Sequence, residues 1–179
     1  MSALTPAVPR LVLADRVLGR SLALDAVLVV AGATLTALLA QVAVPLWPVP
    51  VTGQTLAVLL VGASLGAARG ALSLALYAVL GIVGLPVFSD FGAGAGVILG
   101  PTGGYIVGFV AAAALVGWLS ERAWERKVLK ALATFAAGTL VVFAFGLPWL
   151  AVALQLDLAQ TLQFGLWPFL VGGAIKAAI

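Results

Sequence analysis

The amino-acid sequence predicts an all-α membrane protein, a six-helix transmembrane bundle with its N terminus in the cytoplasm and its sixth helix cut short at the end of the chain. Three observations predict it. Hydrophobic residues make up 64% of the chain and charged residues 8%, with a mean hydropathy of +1.24, so there is too little charge to cover a water-soluble fold. The apolar residues fall in runs that, at about 20 residues per span, suit five or six helices with short connections. The basic residues stand at the ends of those runs, in alternate connections and so on one side of the membrane.

In chain order, residues 1–23 carry Pro6, Pro9, Arg10, Asp15, Arg16 and Arg20 and read as a cytoplasmic lead-in. The run from Leu24 to about Val44 is too long for the core of a cleaved secretory signal and is the first span. Pro45, Pro48 and Pro50 with Trp47 make a stiff, non-helical loop, and Thr52 or Gly53 opens a second span to about Ala67. A turn over Gly66–Gly70, containing Arg69, leads to a short third span from Ala71 to about Val83. A glycine-rich stretch, Gly84–Gly104, separates it from a fourth span over about Tyr105–Leu119. The charged loop Glu121–Lys130 follows, then a fifth span over about Ala131–Leu154, whose outer end Pro148 is expected to kink.

With the N terminus inside, Arg10, Arg16, Arg20, Arg69, Arg122, Arg126, Lys127 and Lys130 all fall in the cytoplasm, eight of the nine basic residues. The loops around Trp47, Asp90 and Asp157 carry none. This scatter, without clustered aromatics, does not suit a nucleic-acid surface despite a net charge of +3. The chain has no cysteine and no histidine, which removes disulfides, thiol and imidazole chemistry and most transition-metal sites. Neither glycine cluster is followed by the Lys-Ser/Thr pair of a phosphate loop, so no ATPase is encoded.

Lys176 is the ninth basic residue, and it has two readings. If Thr161–Ile179 is one span returning to the cytoplasm, Lys176 is an ordinary boundary residue. If Pro168 and Gly172-Gly173 break that run, the sixth helix begins near Gly173 on the outer side with Lys176 in its first turn. An intramembrane lysine costs about 2.5–3.5 kcal/mol on insertion scales and usually faces a partner or cavity. On the second reading only three residues follow it, too few for a crossing, so the chain reads as truncated. The glycine-rich stretch is either a long outer loop or, given Phe88, Phe91 and Asp90, a lid over a pocket.

The strings Pro48-Val49-Pro50-Val51-Thr52-Gly53-Gln54-Thr55, Gly84-Leu85-Pro86-Val87-Phe88 and Gly100-Pro101-Thr102-Gly103-Gly104-Tyr105, in that order and spacing, resemble the BioY family of biotin transporters. The resemblance covers most of the chain. It implies a substrate-binding S component of an energy-coupling factor (ECF) transporter, with one six-helix domain over 1–179 and both termini in the cytoplasm. It further implies a biotin pocket near the outer face, covered by the loop after the first helix and the glycine-rich loop after the third. Phe88, Phe91, Trp47 and Val49 would wall it, Asp90 would accept from the ureido N–H groups, and Thr52, Gln54 and Tyr105 would add or organise hydrogen bonds. Lys176 would pair with the carboxylate. The implied partners are a transmembrane coupling subunit and ATP-binding cassette ATPases, in a bacterial or archaeal cytoplasmic membrane, with no cofactor.

The tail departs from the family pattern Pro-Phe-Leu-Pro-Gly-Asp-x-x-Lys. Here it reads Pro168-Phe169-Leu170-Val171-Gly172-Gly173-Ala174-Ile175-Lys176, so glycine replaces the aspartate expected to hold the ureido group, and Asp90 is a candidate to compensate. Ala33 and Ala37 form a small-residue pair that suits either a docking face for the coupling subunit or packing inside the bundle. Other functions stay in view: an S component for another carboxylate-bearing vitamin, or an accessory membrane subunit that binds nothing. A membrane enzyme is disfavoured, because no carboxylate pair lies within a span to act as acid and base.

Overall fold

A serine starts the first long helix. In the computed structural model, which describes residues 12–18, 21–122 and 128–170, a short helix α1 (Leu13–Leu18) precedes Ser21, whose Oγ accepts the Leu24 N–H at 3.1 Å and caps α2 (Leu22–Ala40). The proline-rich segment after it forms a two-stranded antiparallel hairpin, β1 (Ala43–Val44) with β2 (Val51–Thr52), in which Ala43 pairs with Thr52 and Val44 with Val51. Helices α3 (Gln54–Leu65) and α4 (Ala67–Ile82) are joined by one residue, Gly66, at φ 86°.

That junction corrects the turn expected over 66–70: Arg69 stands in the first turn of α4. The helix starts early because Glu121, distant in sequence, supplies its cap by accepting the Ala67 N–H at 2.8 Å. The glycine-rich stretch is also more structured than a plain loop. It holds a 3-10 turn at Ser89–Phe91 and a short helix α5 (Ala95–Leu99) before α6 (Gly103–Ser120) begins. Helix α7 (Val128–Leu154) takes in Lys130, expected in the preceding loop, and carries Pro148 within its length. Helix α8 (Leu158–Gly165) opens on a capping box, with the Gln160 N–H donating to Asp157 Oδ1 at 2.8 Å and the Asp157 N–H donating to Gln160 Oε1 at 3.2 Å. The apolar run from 161 is interrupted at Leu166, with one further helical turn over 167–170. A sixth helix from about 173, with Gly173 and Lys176, lies outside the described residues, as do Arg10, Arg20, Arg126 and Lys127.

Among the described residues, three helices are long and apolar enough to cross a membrane, Leu22–Ala40, Gly103–Ser120 and Leu129–Leu154, while α3 and α4 are shorter apolar helices. Burial orders them: 67% of the α6 window is buried, against 17% in α2 and 28% in α7. The central helix is α6, packed on α3, α4 and α7. The outer faces of α2 and α7 expose Leu38, Leu140 and Val152, a surface that only hydrocarbon would cover favourably. Hydroxyls inside these helices bond back to the preceding turn: Thr36 to Gly32 O, Thr134 to Lys130 O and Ser120 to Val116 O, each at 2.8–2.9 Å. Each of these hydroxyls is thereby satisfied within its own helix and does not need water within the bilayer.

At one end of the bundle Arg69 gathers two carboxylates. It donates through Nη2 to Asp15 of α1, and its Nε lies 3.2 Å from Asp25 of α2, close enough for an ion pair although the geometry is not that of a hydrogen bond. Beside this cluster, α6 passes so close to the Gly66–Ala67 backbone that a Cβ at position 117 would overlap it. Gly117→Val is expected to cost about 1–3 kcal/mol through overpacking and to lower the thermal midpoint of the detergent-purified chain. Melting at the wild-type temperature would show that these helices have room to part.

Candidate ligand-binding site

A cavity of about 220 Å³ lies at the end of the bundle opposite Arg69, roofed by the hairpin and the glycine-rich loop. Its floor and far wall are apolar: Ile106 and Phe109 from successive turns of α6, Val142 and Phe143 from α7, and Phe169 from the tail. The aromatic rings lock one another. Tyr105 stacks on Phe169 with centroids 5.8 Å apart, and Phe143 meets Phe169 edge-on at 5.6 Å. The Tyr105 hydroxyl donates to Gly165 O at 2.9 Å, which ties the end of α8 to the start of α6.

Polar groups enter from the near side. The Thr52 hydroxyl donates to Gln54 Oε1 at 2.8 Å, and Gln54 Nε2 donates to the Tyr77 hydroxyl at 2.5 Å, a chain buried at the α3 N-terminus. The chain holds the Gln54 amide in one orientation at the cavity edge. Above it, Phe88 is buried in a notch on α4 where a Cβ at Gly81 would overlap its ring, and it packs edge-on against Tyr77 at 5.5 Å. Ser89 and Asp90 follow on the cavity lining. The Ser89 Oγ is buried and has no hydrogen-bond partner among the described residues. Ser89 contributes to the lining, but its Oγ is closed off from water-sized space, so it is a polar atom that the described residues leave unsatisfied beside the cavity.

Of the residues singled out from sequence, Val49, Thr52, Gln54, Phe88, Asp90 and Tyr105 all line this cavity. Trp47 and Phe91 do not, which corrects their expected role as walls. Trp47 is 75% exposed at the hairpin tip, edge-on to Phe164 at 6.0 Å. Phe91 is 69% exposed, because Asp90 and Phe91 both take positive φ (54° and 56°) and the tight turn leaves the Phe91 ring outside. Gly173 and Lys176 lie outside the described residues, although Phe169, seven positions before the lysine, brings the tail to the cavity wall. Sequence reasoning missed Ser89, Thr102, Ile106, Phe109, Val142, Phe143 and Phe169. Tyr105, Ile106 and Phe109 share one face of α6 at helical spacing, but every face of that helix is apolar, so periodicity could not choose among them.

Tyr77→Phe leaves the buried Gln54 amide one partner short. It is expected to cost about 1–3 kcal/mol, read as a lower thermal midpoint, and an unchanged midpoint would mean that Gln54 finds another partner.

The family model described as the BioY family matches residues 13–179. The chain is 36% identical over 152 residues to the biotin transporter BioY2 of Lactococcus lactis subsp. cremoris, covering 85% of this chain and 83% of that one. It is 40% identical over 144 residues to a probable biotin transporter BioY of Pyrococcus horikoshii, covering 80% and 83%. Among solved structures it resembles the S component for biotin from an ECF-type ABC transporter, with a TM-score of 0.70, 25% identity and 88% of each chain covered.

Proposed function

The chain belongs to the BioY family, and we propose, from that membership and from the walled cavity beneath its glycine-rich loop, that it captures biotin and takes it up across the membrane as the S component of an ECF-type transporter. It is a transport component and not an enzyme. Biotin presents an apolar bicycle and aliphatic chain, a ureido group with two N–H donors and one acceptor, and a carboxylate. The cavity is matched to that inventory: aliphatic and aromatic walls with a few polar groups gathered on one side. The observation that carries the reading is the mixed lining of the cavity, in which Thr52, Gln54, Ser89 and Asp90 stand against walls of Ile106, Phe109, Val142 and Phe143. Asp90 accepts from the ureido N–H groups, and Ser89 adds a donor or acceptor beside it. Together they stand in for the aspartate that Gly173 replaces.

In this reading Lys176 neutralises the carboxylate from the tail, near the start of a sixth helix. The N terminus is cytoplasmic and the pocket opens outward, a reading supported by the other arginines and lysines of the sequence falling in the connections away from the pocket. Ligand release to the inside needs energy, and the sequence carries no nucleotide-binding loop. A transmembrane coupling subunit and ATP-binding cassette ATPases supply that energy, and the component reorients with them in the cytoplasmic membrane.

Equilibrium binding to the detergent-purified chain tests this. Biotin is expected to raise the thermal midpoint progressively, with the logarithm of its concentration once that exceeds the Kd. Lys176→Ala should weaken binding by about 30-fold or more, the usual result of stranding one member of a buried charge pair. Ser89→Ala should weaken it by about fivefold, the loss of one neutral hydrogen bond. Wild-type protein that neither binds nor is stabilised by biotin would defeat the reading, and a Lys176→Ala variant with undiminished affinity would remove the lysine from the site.

A further inference from the structure

The loop that carries Ser89 and Asp90 has little to keep it in place. Gly84 and Gly94 take φ of 107° and 89°, and Asp90 and Phe91 between them are also left-handed, so its backbone is irregular from end to end. Two of its anchors land on one residue of α4. The Phe88 ring fills the notch at Gly81, and the Gly94 N–H donates to Gly81 O at 2.7 Å. Both act like a hinge pin, because neither reaches across the cavity.

Gln41, the residue that ends α2, does reach. Its Nε2 donates to Phe88 O at 3.0 Å and to Ala37 O at 3.1 Å, with Val87 O at 3.5 Å, and its Oε1 accepts the Phe91 N–H at 3.0 Å. The side chain therefore grips the loop on both sides of the 3-10 turn that presents Ser89 and Asp90. Among the described residues, every hydrogen bond from residues 86–92 to another element is made to Gln41. The amide has one workable orientation, since inverting it would set its oxygen against the Ala37 and Phe88 carbonyls. A carboxylate of the same length would meet the same two carbonyls, so the position calls for glutamine.

We propose that Gln41 is a positioning residue that latches the glycine-rich loop over the pocket, with Phe88 in its Gly81 notch as the fixed side and the Gln41 amide as the side that opens. This rests on the pocket being the biotin site. The latch sets how long the ligand stays: opening costs the bond from the Phe91 N–H to Gln41 Oε1, while Phe88 O and Ala37 O remain partners for Nε2 in the open state. Gln41 touches no ligand itself, because it lies outside the cavity lining.

Gln41→Met keeps the length and shape of the side chain and removes both donor and acceptor. In the ligand-free, full-length protein, hydrogen exchange at the Phe91 amide is expected to accelerate about tenfold, with the α2 amides before Ala40 and the thermal midpoint unchanged. With biotin, dissociation measured by chase with unlabelled ligand should accelerate about tenfold while association changes little. Unchanged Phe91 exchange would overturn the latch. Faster exchange with unaltered dissociation would overturn its role in ligand retention. If wild-type protein fails to bind biotin, the biotin reading falls, whereas the exchange measurement still decides whether Gln41 holds the loop.

Discussion

The close packing of α6 is the constraint on which the rest of the structure depends. Hydrocarbon offers no hydrogen-bond partner and no hydrophobic gain for bringing helices together, so the bundle must be held by backbone-to-backbone contact and by polar groups satisfied internally. Small residues along α6 allow that contact. Gly104 and Gly108 face Trp149, Phe145 and Val142 of α7, and Gly117 lies on the Gly66–Ala67 junction. Larger residues there would force α3, α4 and α7 apart and remove the two walls of the cavity. The same approach brings Glu121 to the first N–H of α4, so the capping of one helix depends on the packing of another.

The pocket stands where the backbone stops being regular. Irregular main chain is tolerated at membrane depth only where it is buried in protein or lines a cavity, and the hairpin and glycine-rich loop meet that condition at the rim. Their carbonyls and N–H groups find partners in Gln41, Gly81 and Trp149, whose indole N–H donates to Gly100 O at 2.9 Å. The opposite end is built for a different purpose. There Arg69, Asp15 and Asp25 join α1, α2 and α4 into a charged foot.

Within the site, rigidity and mobility are divided between neighbouring residues. Tyr77, Gln54 and Thr52 form a buried, mutually satisfied polar chain, which favours one arrangement. Phe88, packed into the Gly81 notch, carries that rigidity into the loop. Ser89, one residue later, is left without a partner, and Asp90 takes a left-handed conformation to reach the cavity edge.

Much of this was legible in the residues. Composition and apolar runs placed the chain in a membrane as a helical bundle, because span length and the cost of charge in hydrocarbon are properties of short segments. Three separated motifs identified the family, and five of the site residues drawn from them, with Asp90 from the adjoining loop, do meet at the cavity. Where the reading went astray, the cause was long-range. Arg69 left its expected turn because Glu121 caps α4, and Trp47 and Phe91 face outward because of local turns that no periodicity records. Gln41 falls inside the apolar run read as the first span, and its role comes from a loop 46–50 residues away that folds onto it. The sequence by itself determined the solvent, the helical class and the chemical kinds of group available to a ligand. Only the tertiary structure decided which face of each uniformly apolar helix became a wall and which polar groups were consumed in holding the fold, since those outcomes depend on partners that local pattern does not name.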